Sequence, residues 1–345
     1  MTTTSRPESP LDRPDVLIAA LPAVLGFVPE KSLVLVTAAE GEMGAVLRID
    51  LPCPDAGALT RLAEVAAAAE PDIAIAVFVD AECAGCRMCA EEYRAWSQVL
   101  TEELAQWQVE LIAAHVVDVV AAGGRWYCAD GCGNSGRVAD PTASPVALAA
   151  VLDGRRLYAR RADLVQVVAP VEPCRADELV DRLERAEAER GDVASGIEHA
   201  LSCATRMEYA HALGEEDLIR LAASLSDPLV RDTLYALAVG DRAAPAESLW
   251  ADLSRRLPGR WRAEALVLLA FSAYARGDGP LAGIALEAAL RAEPGHNMAG
   301  MLDRALQSGI RPEEIRELAH TGYRIAAQHG IALPRRRMFG RRRAG

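Results

Sequence analysis

The hydrophobic pattern along this chain changes period partway through. Residues 15–25 form a short apolar stretch with helical spacing, broken near Pro22 and ended by Gly26. Phe27-Val28-Pro29-Glu30-Lys31 reads as a turn. Residues 32–37 are a near-continuous run of β-branched residues and leucine, which predicts a buried strand. A turn centred on Gly41 leads to a second strand over 43–51, expected to pair antiparallel with the first. In it Arg48 and Asp50 share one face, while Leu47, Ile49 and Leu51 share the other. Asp55 caps a predicted helix through Ala69. A third strand over 73–79 is the cleanest in the chain. An amphipathic helix over 91–106 and a fourth strand over 109–120 follow, an order that predicts a right-handed crossover between parallel strands. The Gly-, Asp- and Ser-rich stretch 123–145 reads as a loop. A helix from Pro145 and a basic segment, 155–163, close the domain.

Beyond Pro173 helical periodicity dominates to about residue 330. Within 262–294, the residues Leu266, Leu269, Ala270, Gly277, Ala282, Ala289 and Pro294 fall where a tetratricopeptide-like helix pair places them. Small alanines let two antiparallel helices approach, Gly277 permits the turn, and Pro294 stops the second helix. The usual aromatic of the first helix is displaced, with Tyr274 one position late. The expected fold is therefore an α/β N-terminal domain with a mixed sheet, followed by an all-α, partly tetratricopeptide-like domain. The expected boundaries are a disordered lead at 1–12, the α/β domain at 13–172, the helical domain at 173–330 and an arginine-rich tail at 331–345.

Composition sharpens the functional expectations. At 345 residues and 51% hydrophobic, the chain can bury a sizeable core, and global disorder is excluded. The net charge of −12 argues against nucleic-acid binding by the body of the protein. The tail is the exception. Arg335-Arg336-Arg337 and Arg341-Arg342-Arg343 offer a site for RNA, acidic lipid or an acidic partner, beside the plainer reading of a solvated, frayed end. The start is polar, without the apolar core of a secretory signal, and no uncharged apolar run reaches membrane-spanning length. A cytoplasmic location is expected, where clustered thiols are metal ligands, redox groups or core residues rather than disulfides.

Five of the eight cysteines fall in two bursts: Cys83, Cys86 and Cys89, then Cys128 and Cys132. Thiolates at C-x2-C spacing bite one tetrahedral ion, so two ligands from the first burst with Cys128 and Cys132 would make a structural zinc site. A C-x2-C-x2-C run with a remote fourth cysteine also suits an iron–sulfur cluster, although no proline follows that fourth cysteine here. The remaining reading has no cofactor, the thiols packing as small buried residues. Gly131-Cys132-Gly133-Asn134-Ser135-Gly136 matches a dinucleotide-loop pattern literally, but no long strand delivers it and no helix follows, so a glycine-rich turn is the better reading.

Several segments carry a family resemblance. Asp15-Val16-Leu17-Ile18-Ala19-Ala20-Leu21-Pro22, then Leu25-Gly26-Phe27-Val28-Pro29-Glu30-Lys31-Ser32-Leu33-Val34, then Arg48-Ile49-Asp50-Leu51-Pro52 closely resembles the actinobacterial family known as domain of unknown function 4192. Gly124-Arg125-Trp126 with Cys128 and Cys132, Arg160-Arg161-Ala162-Asp163-Leu164, Val230-Arg231-Asp232, and 285–294 with Met298 are similar to further segments of that family. The resemblance spans about 15 to 315 and brings no assigned activity with it. The family loop commonly carries adjacent cysteines followed by proline, whereas Gly133 follows Cys132 here. The first cysteine burst is not part of the family pattern.

Two functional readings follow. In the first, the protein is an interaction or regulatory module that docks a protein partner through its helical domain and carries a zinc site in its α/β domain. In the second, it is an enzyme of unassigned class with a site at the strand ends near Arg48, Asp50 and Trp126. A deep pocket joining those three would favour the enzyme. The histidines, His115 among them, sit in no recognisable motif and read as structural.

Overall fold

The computed structural model describes residues 11, 13–51, 56–68, 70–82, 86–152, 155–171, 176–209 and 212–336. The chain divides between Asp163 and Leu164 into two compact units.

The first unit opens with α1 (Pro14–Leu25), which carries proline in its first turn and ends on Gly26 in the left-handed region at φ 75°. The helix runs through Pro22 rather than breaking there. A proline removes one backbone donor, and Leu17, Ile18 and Leu21 on this helix are fully buried. Next come β1 (Ser32–Ala39), β2 (Glu42–Asp50), α2 (Ala56–Ala67), β3 (Ile73–Val79), α3 (Arg87–Ala105) and β4 (Glu110–Val117). Strands β5 (Arg125–Cys128) and β6 (Ser135–Arg137) follow. The expected loop at 123–145 therefore contains a short hairpin, too brief and too glycine-rich to show a period of two. The six strands form one mixed sheet in the order β2-β1-β3-β4-β5-β6. β3 and β4 are parallel, with α3 in the crossover, and every other neighbouring pair is antiparallel.

Alternation along the strands sorts the sheet into two faces. Leu33, Leu35, Ala74, Ala76, Phe78, Ala114 and Val116 pack with Leu59, Leu62 and Ala63 of α2 and with Tyr93, Leu100 and Leu104 of α3. The alternate residues, Val34, Val36, Ile75, Val77 and Val117, are as fully buried on the opposite face. Burial on both faces explains why β1 and β3 read as continuous apolar runs. The unit continues through a 3-10 turn (Pro141–Ala143) to α4 (Pro145–Leu152), which packs on α1.

α5 (Arg161–Val165) spans the division. The second unit is helical: α6 (Ala176–Ala188), α7 (Val193–Glu208), α8 (Glu215–Leu225), α9 (Pro228–Leu234), a 3-10 segment (Tyr235–Val239), α10 (Ala243–Arg256), α11 (Gly259–Ala275), α12 (Gly279–Ala292), α13 (Asn297–Gln307) and α14 (Pro312–Gln328). α11 is buried along most of its length and pairs closely with α12. Gly277 turns the chain between them at φ 84°, and the Asp278 carboxylate caps α12 by accepting from the Leu281 amide at 3.1 Å. Arg276 anchors this corner, donating from Nε and Nη2 to the Glu247 carboxylate at 2.8 and 2.9 Å and pairing with Asp278 at 2.9 Å.

The start of the tail is not frayed. The Asp241 amide donates to the Arg335 carbonyl at 2.8 Å, Tyr323 donates to the Pro334 carbonyl at 3.0 Å, and the Arg336 guanidinium lies 5.7 Å from the centre of the Tyr323 ring. Residues 337–345, and with them Arg341-Arg342-Arg343, lie outside the described residues, as does most of the lead at 1–12. Among the described residues, no helix is long and apolar enough to cross a membrane.

Candidate functional site

The β5–β6 hairpin at the sheet edge gathers the second cysteine burst. Cys128 ends β5, and two glycines in the left-handed region, Gly131 at φ 80° and Gly133 at φ 86°, fold the chain back into β6. The Asp130 carboxylate accepts from the Cys132 amide at 2.9 Å and closes the turn. One ligand atom each from Cys128, Asp130 and Cys132 lies within 4.8 Å of the others. On the neighbouring strand His115 pairs directly with Cys128, and its Nδ1 stands 3.5 Å from the Cys128 sulfur. Trp126, two residues back on the same face, sets its ring edge-on to His115 with centroids 5.4 Å apart. Gly136 leaves the room for that ring, since a Cβ there would stand 2.9 Å from ring atoms.

The electrostatics of the cluster follow from its half-buried position. Burial pushes the Cys128 thiol up to about 12, and its contact with Cys132 adds to the rise. Burial also lowers His115, opposed by the nearby Asp130 charge. Asp130 is held below the usual carboxylate range by the Cys132 amide. Without a cation this is a neutral thiol beside a neutral imidazole. Two sulfurs, an imidazole nitrogen and a carboxylate oxygen are donors that suit zinc, and a divalent ion invites the thiols to ionise.

Among the described residues, Cys86 and Cys89 do not join the group formed by Cys128 and Cys132. Cys89 packs against the cluster of Phe78 and Tyr93, on the face covered by α2 and α3. Tyr127 and Ala129 point to that same face, so Cys128 and His115 point to the other. The sheet separates Cys89 from Cys128. Cys86 caps α3 on the same side of the crossover as Cys89, and Cys83 lies outside the described residues. Cys86, Cys89, Cys128 and Cys132 are all thiols rather than disulfides. The Cys86 sulfur makes no formed cap hydrogen bond. Even so, the Cys89 amide, the Cys89 thiol and the Met88 amide hold it below the usual thiol range.

Arg48, Asp50 and Trp126 do not share a site either. Arg48 and Asp50 lie on β2 and Trp126 on β5, four strand spacings apart, or about 19 Å. Arg48 is occupied locally: it pairs with Asp50, donates to the Ser32 hydroxyl at 2.8 Å and lies over the Phe27 ring. The glycine-rich stretch 131–136 is the hairpin turn, with a strand after it rather than a helix.

Sequence reasoning passed over His115 and Asp130. The spacing of Asp130 between the two cysteines was open to view, whereas His115 depends on strand register. It also passed over a second cluster, His199, Cys203 and Asp217, joined across α7 and α8. Cys203 lies 3.6 Å from His199 Nε2, a pairing that the i, i+4 spacing on one helix allows. A cation does not suit this cluster, because the Arg206 guanidinium already donates to Asp217 at 2.6 Å and to Cys203 at 3.6 Å. Cys203 is completely buried, which leaves it no approach for a substrate.

In comparison with known proteins, a family model described as Domain of unknown function (DUF4192) matches residues 14–313. No curated protein and no solved structure matches.

Proposed function

The chain belongs to the DUF4192 family, and from that premise we propose that it is a cytoplasmic interaction or regulatory module whose α/β unit carries a structural zinc site on the β5–β6 hairpin. Cys128 and Cys132 supply the thiolates and Asp130 a third donor, while His115 stands beside Cys128, outside that three-residue group, and would have to move towards Asp130 and Cys132 to become the fourth. One observation carries the proposal: the ligand atoms of Cys128, Asp130 and Cys132 lie within 4.8 Å of one another, with His115 Nδ1 3.5 Å from the first sulfur. A hairpin of four- and three-residue strands at a sheet edge has little core of its own, and cross-linking its turn to β4 supplies what packing does not.

The interaction half of the proposal rests on the helical unit. The close antiparallel pair α11–α12, with a left-handed glycine at its turn, supports a tetratricopeptide-like corner, and stacked helix pairs present docking surfaces to protein partners. The placing of Arg48 and Asp50 on β2 and of Trp126 on β5 supports this reading over one enzyme site shared by all three.

Metal analysis of full-length protein purified without chelators tests the zinc site. About one zinc per chain is expected, lost in Cys128→Ser and Cys132→Ser and retained in Cys86→Ser, with a lower Tm on chelation. Substoichiometric zinc, together with no thiolate–cobalt absorption on adding Co(II), refutes it.

A further inference from the structure

The first cysteine burst stands where a different chemistry is available. β3, α3 and β4 form a parallel strand–helix–strand unit, and ligands of such sheets approach the carboxyl ends of the strands. Cys86 occupies the N-cap of α3 with extended backbone (φ −91°, ψ 122°), and Cys89 is the third helical residue. These are the two positions of a capping box, N-cap and N3, whose side chains lie near each other at the start of a helix, although Cys86 forms no side-chain cap hydrogen bond. Residues so related have Cα atoms within the roughly 4.4–6.8 Å that a disulfide spans. The amide ends at the start of a 19-residue helix stabilise a thiolate beside them. The chain leaving β3 is held at Asp80 and Glu82. The Asp80 amide donates to Val117 O at 3.0 Å, its buried carboxylate accepts from Tyr93 Oη and the Glu82 amide, each at 2.9 Å, and Glu82 pairs with Lys31 at 2.6 Å. Both cysteines are partly exposed, and Met88 between them is 78% exposed.

We propose that Cys86 and Cys89 form a thiol–disulfide exchange pair, with Cys86 as the attacking thiolate and Cys89 as the resolving thiol. The Cys86 thiolate attacks one sulfur of a substrate disulfide. A mixed disulfide forms, the substrate S–S bond breaks, and the departing thiolate takes up a proton. Cys89, having released its proton to solvent, attacks the Cys86 sulfur. The Cys86–Cys89 bond forms and the second substrate thiolate leaves. The substrate gains two electrons and becomes two thiols, while the dithiol is oxidised to its disulfide. A substrate dithiol reverses the sequence. Cys89 and Cys128 lie on opposite faces of the sheet, so the pair works independently of the hairpin site.

The test uses the reduced full-length chain. Brief exposure to iodoacetamide at mildly acidic pH, followed by peptide mapping, should label Cys86 about tenfold or more faster in the folded chain than in the unfolded chain. Oxidised glutathione should close a Cys86–Cys89 bridge in the native sequence and in Cys128→Ser. In Cys89→Ser it should instead leave glutathione attached to Cys86. Disulfide-bonded insulin, offered with dithiothreitol, identifies the substrate source. Reduction faster than with Cys86→Ser marks a protein disulfide, and turnover of glutathione alone marks a small one. Three results overturn the proposal: equal labelling of Cys86 in the folded and unfolded chain, a bridge that joins Cys83 or omits Cys86, or zinc or iron that is released by Cys86→Ser. The first two come from the native sequence and do not depend on the folding of any variant.

Discussion

Gly322 sits inside α14 where that helix crosses α9 and the 3-10 segment after it, and its replacement by alanine should destabilise the helical unit. A Cβ at this position would stand 2.5 Å from the Thr233 carbonyl oxygen, 3.1 Å from the Asp232 carbonyl oxygen and 2.9 Å from the Ala236 Cβ. Two of these neighbours are backbone, so relief requires α14 to withdraw by roughly 1 Å from its ordinary contact distance. Ile315, Ala319 and Ala326, buried on the same side of α14, would then lose about a quarter to a half of their contact energy. Overpacking of this kind costs about 1–3 kcal/mol, while the better helix propensity of alanine returns about 1 kcal/mol. The expected net loss for Gly322→Ala is therefore up to about 2 kcal/mol, and larger for Gly322→Val. Gly300 in α13 is the control, because a Cβ there meets only the tip of the Arg304 side chain at 3.5 Å. Gly300→Ala should therefore stabilise by up to about 1 kcal/mol. Urea unfolding of the full chain, followed by far-UV circular dichroism and by tryptophan fluorescence, reads both. A Gly322→Ala midpoint at or above that of Gly300→Ala would refute the reasoning.

Arg276→Met should cost about 3 kcal/mol in the same urea assay, because it strands the half-buried Glu247 and the buried Asp278 without their shared cation; a loss below about 1 kcal/mol would mean that water already screens the corner. Burial lowers the His199 pKa, while Asp217 partly opposes and Arg206 and Arg220 reinforce the shift. Below about pH 6.5 the unfolded chain therefore holds a proton that the folded chain does not, and stability falls as pH drops. His199→Gln should flatten the decline in Tm between pH 7.5 and 5.5, and equal slopes would sink that assignment. Cys203 should resist a thiol reagent in the native protein and react only on unfolding, since it is fully buried and burial raises its thiol; labelling in the native protein as fast as in the unfolded chain would contradict the packing of α7. Leu152→Glu should change stability by no more than about 0.5 kcal/mol, because Leu152 is 77% exposed on α4, and a larger loss in urea would show that this face is covered.

The alternation and length of apolar runs made the α/β half legible. β3 is found over 73–79 as expected, and β1 and β2 pair antiparallel on the predicted segments. β5 and β6 escaped notice because strands of four and three residues containing Trp126, Gly136 and three charged or polar residues do not display a period. The candidate site was half legible for a related reason. Cys128 and Cys132 declare themselves by spacing within one loop, whereas His115 reaches Cys128 across a strand ladder whose register spacing does not encode.

By itself, then, the sequence determined which segments bury both faces, which bury one, where glycine must turn the chain and which local spacings can hold thiols close. All of these depend on contacts between residues near one another along the chain. Which distant residues meet was decided only by tertiary structure. Strand order set Arg48 and Asp50 about 19 Å from Trp126. The crossover put Cys89, on α3, against one face of the sheet, while the pleat of β5 turned Cys128 to the other. The register of β4 against β5 brought a histidine with no motif of its own to a cysteine that had one. A shift of one residue in that register would have turned His115 into the α2–α3 core and left the hairpin with its two thiols and one carboxylate alone.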